Sequence, residues 1–232
     1  MLPDAPPLGR RLVAEGLGSF FLFATVIGSG IMAEALSGGN DAVALIGNTA
    51  ATGAILFVLI TMLGPISGAQ MNPAVSLVAA SRGELSGRDA AAYIAVQLLC
   101  GVAGALAAHA MFDLPLLQYS DKARSSGGQW LGEAIATFGL VLTIWGTAKH
   151  RPKAVPASVA LYITAAYWFT SSTSFANPAI TVARSLTDSF SGIAPGDAPG
   201  FIIAQLVGAA LAALVVRTLF DDRVGDAAMP LR

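Results

Sequence analysis

The tripeptide Asn-Pro-Ala occurs twice, at Asn72-Pro73-Ala74 and Asn177-Pro178-Ala179. Each copy opens an apolar stretch, over about 72–81 and 177–186, that is too short to cross a bilayer. Pro is pre-organised for the first helical position, where its missing N–H is not needed, and Asn is a good N-cap. Each tripeptide therefore reads as a helix start, and each follows a Gly/Ser/Thr-rich approach. A single copy would read as a loop turn. Two copies in matched surroundings point to one architecture.

The surroundings are those of a bilayer. The 232 residues are 55% hydrophobic and 12% charged, against about 25% charged in soluble domains, and mean hydropathy is +0.68. Six stretches are long and apolar enough to span: about 11–34, 43–63, 89–112, 129–148, 154–171 and 198–220. The first is not expected to be a cleaved signal peptide, because it is long, carries Glu15 and lacks a small-residue cleavage site. A net charge of −1 argues against nucleic-acid binding. One cysteine, Cys100, excludes an internal disulfide and a cysteine metal cluster. No enzyme constellation, metal site or cofactor motif can be assembled, so no catalytic residue and no cofactor is expected.

The two halves repeat. Ala14-Glu15-Gly16-Leu17-Gly18-Ser19-Phe20 parallels Gly132-Glu133-Ala134-Ile135-Ala136-Thr137-Phe138, and Ala95-Val96-Gln97-Leu98 parallels Ile203-Ala204-Gln205-Leu206. Each half holds three spans, so the second must be inserted upside down, as an inverted repeat over about 11–112 and 129–220. Inversion brings the two Asn-Pro-Ala starts together from opposite faces. Two half-helices of about ten residues, each covering about half the hydrocarbon thickness, would complete a seventh, broken span. The expected fold is an all-α membrane protein with six transmembrane helices and two re-entrant half-helices. Residues 11–220 form one domain between tails 1–10 and 221–232.

Orientation follows from the basic residues. With six spans both termini share a side, which then holds Arg10, Arg11, Arg82, Arg88, Lys149, Arg151, Lys153, Arg217, Arg223 and Arg232. The other side holds Lys122, Arg124 and Arg184. Both termini are therefore expected in the cytoplasm.

A helix interrupted at the midplane exposes unpaired N–H groups and the positive end of its dipole. Two such ends would repel cations, and the Asn72 and Asn177 amides would offer donors to a water or a neutral polyhydroxy solute. Carbonyls of the approaches, about 66–71 and 171–176, would form a ladder of acceptors, tolerable at that depth only along a water-filled cavity. Glu15 and Glu133 are carboxylates inside spans. One reading is a proton relay; the favoured one is a brace accepting re-entrant backbone N–H groups. Gln97 and Gln205 are expected to brace likewise. Gly28, Gly30, Gly101, Gly104 and Gly208 permit close helix packing, and Cys100 reads as a small apolar core residue.

These motifs resemble the aquaporin/aquaglyceroporin family, the major intrinsic proteins, over about 11–220. Ile66-Ser67-Gly68-Ala69-Gln70-Met71-Asn72-Pro73-Ala74-Val75 is similar to the family's first signature, with Gln70 where His is common. The resemblance implies a homotetramer with one pore per subunit in the lipid bilayer. It also implies an outer constriction of four positions. Counted without gaps from the two motifs, these fall at Thr52, Ala165, Ser174 and Ile180. Water-selective and glycerol-conducting relatives carry aromatics and an Arg there. With Ile180 in place of that Arg, and with no aromatic, the constriction is expected to be wide. Arg184, one turn beyond Ile180, is expected at the outer mouth, and a small shift could turn Tyr167, Trp168 or Phe169 into the pore.

The run from Thr170 to Arg184 resembles the bacterial aquaglyceroporin S group associated with arsenic-resistance genes. That resemblance implies a channel of the bacterial inner membrane passing arsenite, neutral As(OH)3, and methylated arsenicals besides glycerol and water. The alternatives are a general glycerol/urea/water facilitator or a proton-coupled secondary transporter, the latter using Glu15 and Glu133 as coupling sites.

Overall fold

The computed structural model describes residues 6–220. The tail 221–232 and residues 1–5 of the tail 1–10 lie outside the described residues. The described chain is helical, without strands: α1 (Leu8–Leu36), α2 (Asp41–Ser67), α3 (Pro73–Ser81), α4 (Gly87–Met111), α5 (Gly127–His150), α6 (Val155–Phe169), α7 (Pro178–Arg184) and α8 (Ala198–Phe220).

Five of these helices, α1, α2, α4, α5 and α8, are long and apolar enough to cross a membrane. The stretch expected at 154–171 falls short of that length. Its helix α6 has 15 residues, or about 22 Å. A 3-10 turn over Pro152–Ala154 precedes it. The chain leaves helical geometry at Thr170 because the next residues are already the approach to the second Asn-Pro-Ala. The half-helices are nine and seven residues long.

Local sequence sets the helix ends. Asn40 caps α2, its side-chain oxygen accepting from the N–H of Ala42 and Val43. Ser86 caps α4 and Ser126 opens α5 with a capping box to Gln129. Gly68, at φ 87°, takes the left-handed conformation that stops α2 and releases the chain inward.

The packing is two-fold. α1 packs on α4 as α5 packs on α8, α1 on α2 as α5 on α6, and α2 meets α6 across the middle. Both half-helices lie between α4 and α8 and touch each other. Close approach is made by small residues. A Cβ on Gly104 would stand 2.2 Å from the Phe20 carbonyl, and one on Gly208 2.2 Å from that of Ala134. Gly16 faces the Cys100 side chain, whose sulfur would stand 3.0 Å from an added Cβ. Cys100 is half-buried in this α1–α4 seam, not in the core.

Candidate functional site

Two side chains tie the half-helices together. Asn72 Nδ2 donates to the Ala176 carbonyl at 2.7 Å, and Asn177 Nδ2 donates to the Met71 carbonyl at 2.8 Å. Each asparagine also caps its own half-helix. Asn72 Oδ1 accepts from Ala74 N, and Asn177 Oδ1 accepts from Ala179 N and Ile180 N. With the oxygen committed to the helix start, the NH2 group is directed at the opposite approach. One of its two hydrogens remains for the cavity.

The approaches are strained. Ala69, Met71, Thr173, Ser174 and Ala176 all have positive φ, between 47° and 63°. Non-glycine residues pay about 1–2 kcal/mol each for this conformation. Buried carboxylates offset it. Glu15, fully buried, accepts from Ser67 Oγ (2.7 Å), Gln70 N (2.9 Å), Met71 N (2.7 Å) and Gln97 Nε2 (2.8 Å). Glu133, also fully buried, accepts from Phe175 N (2.8 Å), Ala176 N (2.8 Å) and Gln205 Nε2 (2.6 Å). Hydrogen bonds to a charged group contribute about 1.5–3 kcal/mol each, which is of the same order as the strain they oppose. The N–H groups are held on the protein side.

Four hydroxyls complete the bracing. Gln97 also donates to Ser76 Oγ and Gln205 to Thr181 Oγ1, and these hydroxyls bond the Asn72 and Asn177 carbonyls. Ser67 and Ser172 each accept from the N–H two residues on, at Ala69 and Ser174. The signal was present: a hydroxyl residue stands five before and four after each Asn.

One continuous cavity of about 240 Å3 runs past both asparagines. Its middle is walled by residues 68–72 and 174–177; residues 66, 67 and 171–173, also counted in the carbonyl ladder, are not on the wall. Ser174 Oγ and Gln70 Oε1 line it without a hydrogen-bond partner among the described residues. At one end lie Thr52, Tyr167, Ile180 and Arg184; at the other lie Glu84, Trp145 and Ala148 among aliphatic side chains.

Of the four expected constriction positions, Thr52, Ser174 and Ile180 are on this wall and Ala165 is not. Ala165 is exposed on the opposite face of α6. The inward face carries Val159, Ile163 and Tyr167, at helical spacing. The gap-free count fails because the chain from Thr170 to Thr173 turns instead of continuing the helix. Trp168 and Phe169 are exposed, so only Tyr167 of the three aromatics turns inward. Arg184 is not free at an outer mouth: it is 1% exposed. Its Nε donates to the Ser191 carbonyl, and its guanidinium lies 3.4 Å from the Phe175 ring centroid.

The loop from α4 to α5 closes over this end. Arg124 donates to the Gly192 and Ser172 carbonyls. Burial pushes its pKa down to about 10, which leaves it charged at neutral pH. His109, fully buried, anchors the same loop through Nδ1 at 2.9 Å from the Leu116 carbonyl. Among the described residues no group of His, Cys, Asp and Glu could hold a metal ion.

The major intrinsic protein family model matches residues 4–174 and 153–230. The chain is 58% identical to the aquaglyceroporin AqpS of Rhizobium meliloti (strain 1021), covering 92% of this chain and 91% of that one. It is 33% identical to the aquaporin AqpM of Methanothermobacter thermautotrophicus, covering 93% and 99%. Among solved structures it is similar to the aquaglyceroporin from Plasmodium falciparum, with a TM-score of 0.72, 20% identity and coverage of 92% and 97%. That likeness is one of fold.

Proposed function

Because the chain belongs to the major intrinsic protein family of aquaporin and aquaglyceroporin channels, we propose that it conducts arsenite, as neutral As(OH)3, together with glycerol and water. The multi-pass membrane chain would lie in a bacterial inner membrane with both termini cytoplasmic, as a homotetramer with one pore per subunit. Methylated arsenicals in their neutral form belong to the same substrate class.

The observation that carries this reading is the cavity itself. It passes both Asn amides and reaches Ile180, an aliphatic side chain where the family usually carries Arg. Neutral hydroxyl-bearing solutes can trade water for the Asn donors, the Ser174 hydroxyl and the carbonyls of the approaches. Cations meet two positive helix ends. Glu15 and Glu133 serve as braces, since every bond they make holds an approach or its supporting Gln.

One observation favours the runner-up, a general glycerol/urea/water facilitator. Tyr167 and Arg184 both line the outer end, so an aromatic and an arginine are present there after all. Stopped-flow measurements on proteoliposomes separate the two readings. The arsenical reading expects arsenite permeability equal to or above that of glycerol. It also expects Ile180→Arg to depress arsenite and neutral methylarsonous acid more than water. Arsenite exclusion with intact glycerol flux would leave the facilitator.

A further inference from the structure

The electrostatics of the cavity leave one question that the paired helix starts do not answer. A positive centre turns cations away but favours anions. The outer end adds to this field, because Arg184 is the one cation on the wall among the described residues. A pore that passes only uncharged solutes needs a charge of the other sign, and the wall carries one, Glu84.

Glu84 lies in the loop between α3 and α4, on the cytoplasmic side in the positive-inside reading. The loop is built to present it. Gly83, at φ 75°, takes the left-handed conformation, and Glu84 N donates back to the Ala79 carbonyl at 3.0 Å. The chain thereby reverses under α3. The carboxylate accepts the Trp145 indole N–H at 2.9 and 3.1 Å, and Arg82 Nε at 2.8 Å. Trp145 is buried in the wall, whereas the Glu84 side chain is 47% exposed.

A surface ion pair of this kind contributes little to stability, so stability is a weak reason for the arrangement. Arg82 is not on the cavity wall. It lies behind the wall, its guanidinium 5.9 Å from the Trp145 ring centroid, so the carboxylate is the charged end of the pair that lines the cavity. Around it Leu140, Ile144, Val155 and Val159 are aliphatic, and low-dielectric walls focus the field of the carboxylate that faces them.

We propose that Glu84, positioned by Trp145 and Arg82, is a second charge-selective station at the α3–α4 mouth, rejecting the anions that the central field would admit. The proposal rests on the channel reading above. Charge exclusion is thus divided: cations are rejected at the centre and anions at this mouth.

The test measures nitrate and glycerol permeability of proteoliposomes holding the full chain. Glu84→Gln keeps the size and an acceptor for Trp145 but removes the charge. The nitrate-to-glycerol ratio should rise about three-fold or more, the effect of a unit charge at roughly 6 Å in water-like surroundings. Glu84→Asp should stay near the parent. Ala148→Lys places a cation at an exposed position on the same mouth, where folding is not at stake, and should also raise the ratio. Parent-like ratios in both Glu84→Gln and Ala148→Lys overturn the proposal, as does a parent that passes nitrate as readily as glycerol. Should Glu84→Gln fail to fold, Ala148→Lys decides alone. A parent with no glycerol or water flux above protein-free vesicles overturns the channel reading instead.

Discussion

The hydroxyls of Thr52 on α2 and Tyr167 on α6 stand 3.3 Å apart across the outer end of the cavity. Thr52 also donates to the Asn48 carbonyl one turn back, at 2.8 Å. A side chain from each half of the chain thus closes one edge of the constriction. Ile180 and Arg184 line the same end, and the Arg184 guanidinium is in side-chain hydrogen-bonding contact with Tyr167.

Tyr167→Ala should widen that end. Losing a phenol removes bulk without touching the asparagines, so the ratio of glycerol to water permeability should rise several-fold. Tyr167→Phe keeps the ring and should leave the ratio nearly unchanged. Equal ratios in Tyr167→Ala and the parent would show that the ring does not limit passage.

Asn177→Asp should let cations leak. A carboxylate can still cap α7, but it cannot donate to the Met71 carbonyl. Leaving that carbonyl without its donor costs about 1–3 kcal/mol. The added negative charge cancels part of the central positive field. Asn72→Asp should behave the same way against Ala176. A sodium-loaded vesicle assay that reads parent-like leak in both variants would contradict the central cation barrier.

Glu15→Ala should fail at folding, not at coupling. It removes the acceptor of four hydrogen bonds, two of them from backbone N–H groups of the strained approach. The expected loss is several kcal/mol, since each buried donor left unsatisfied costs about 1–3 kcal/mol. Thermal aggregation in detergent should show a clear drop in midpoint. A stable variant that had lost only a pH dependence of transport would favour the relay reading.

Gly208→Ala tests the helix seams. The new Cβ would stand 2.2 Å from the Ala134 carbonyl, which belongs to backbone and cannot swing aside. Destabilisation of about 1–3 kcal/mol is expected for such overpacking. Gly28→Ala is the control, since its nearest neighbour is 3.5 Å away. Equal melting of the two variants in detergent would mean that α5 and α8 can part without loss.

The architecture was legible because apolar length, the doubled Asn-Pro-Ala and the doubled Glu and Gln all report backbone constraints, which recur at fixed spacing. Helix α8 begins at Ala198 and is described to Phe220, as hydropathy suggests. The outer constriction was less legible. Its fourth wall depends on which face of α6 turns inward. That depends in turn on where the helix stops, and Thr170 to Thr173 gives no periodic signal. Hence a gap-free count reaches Ala165, whereas the helix turns Tyr167 inward. For Arg184, helical spacing from Ile180 gives distance along an axis. It does not register a guanidinium folding back onto Phe175 and the Ser191 carbonyl. Glu84 carries no distinguishing signal, because in sequence a loop carboxylate beside an Arg looks like any solvated charge.

The most direct test of passive conduction is the dependence of glycerol and arsenite flux on concentration and on an imposed proton gradient in the same proteoliposomes. The account predicts flux that rises linearly with the solute gradient, equal in both directions and unchanged when the proton gradient is collapsed. Saturable uptake driven by a proton gradient would contradict it, and would return Glu15 and Glu133 to the role of coupling sites.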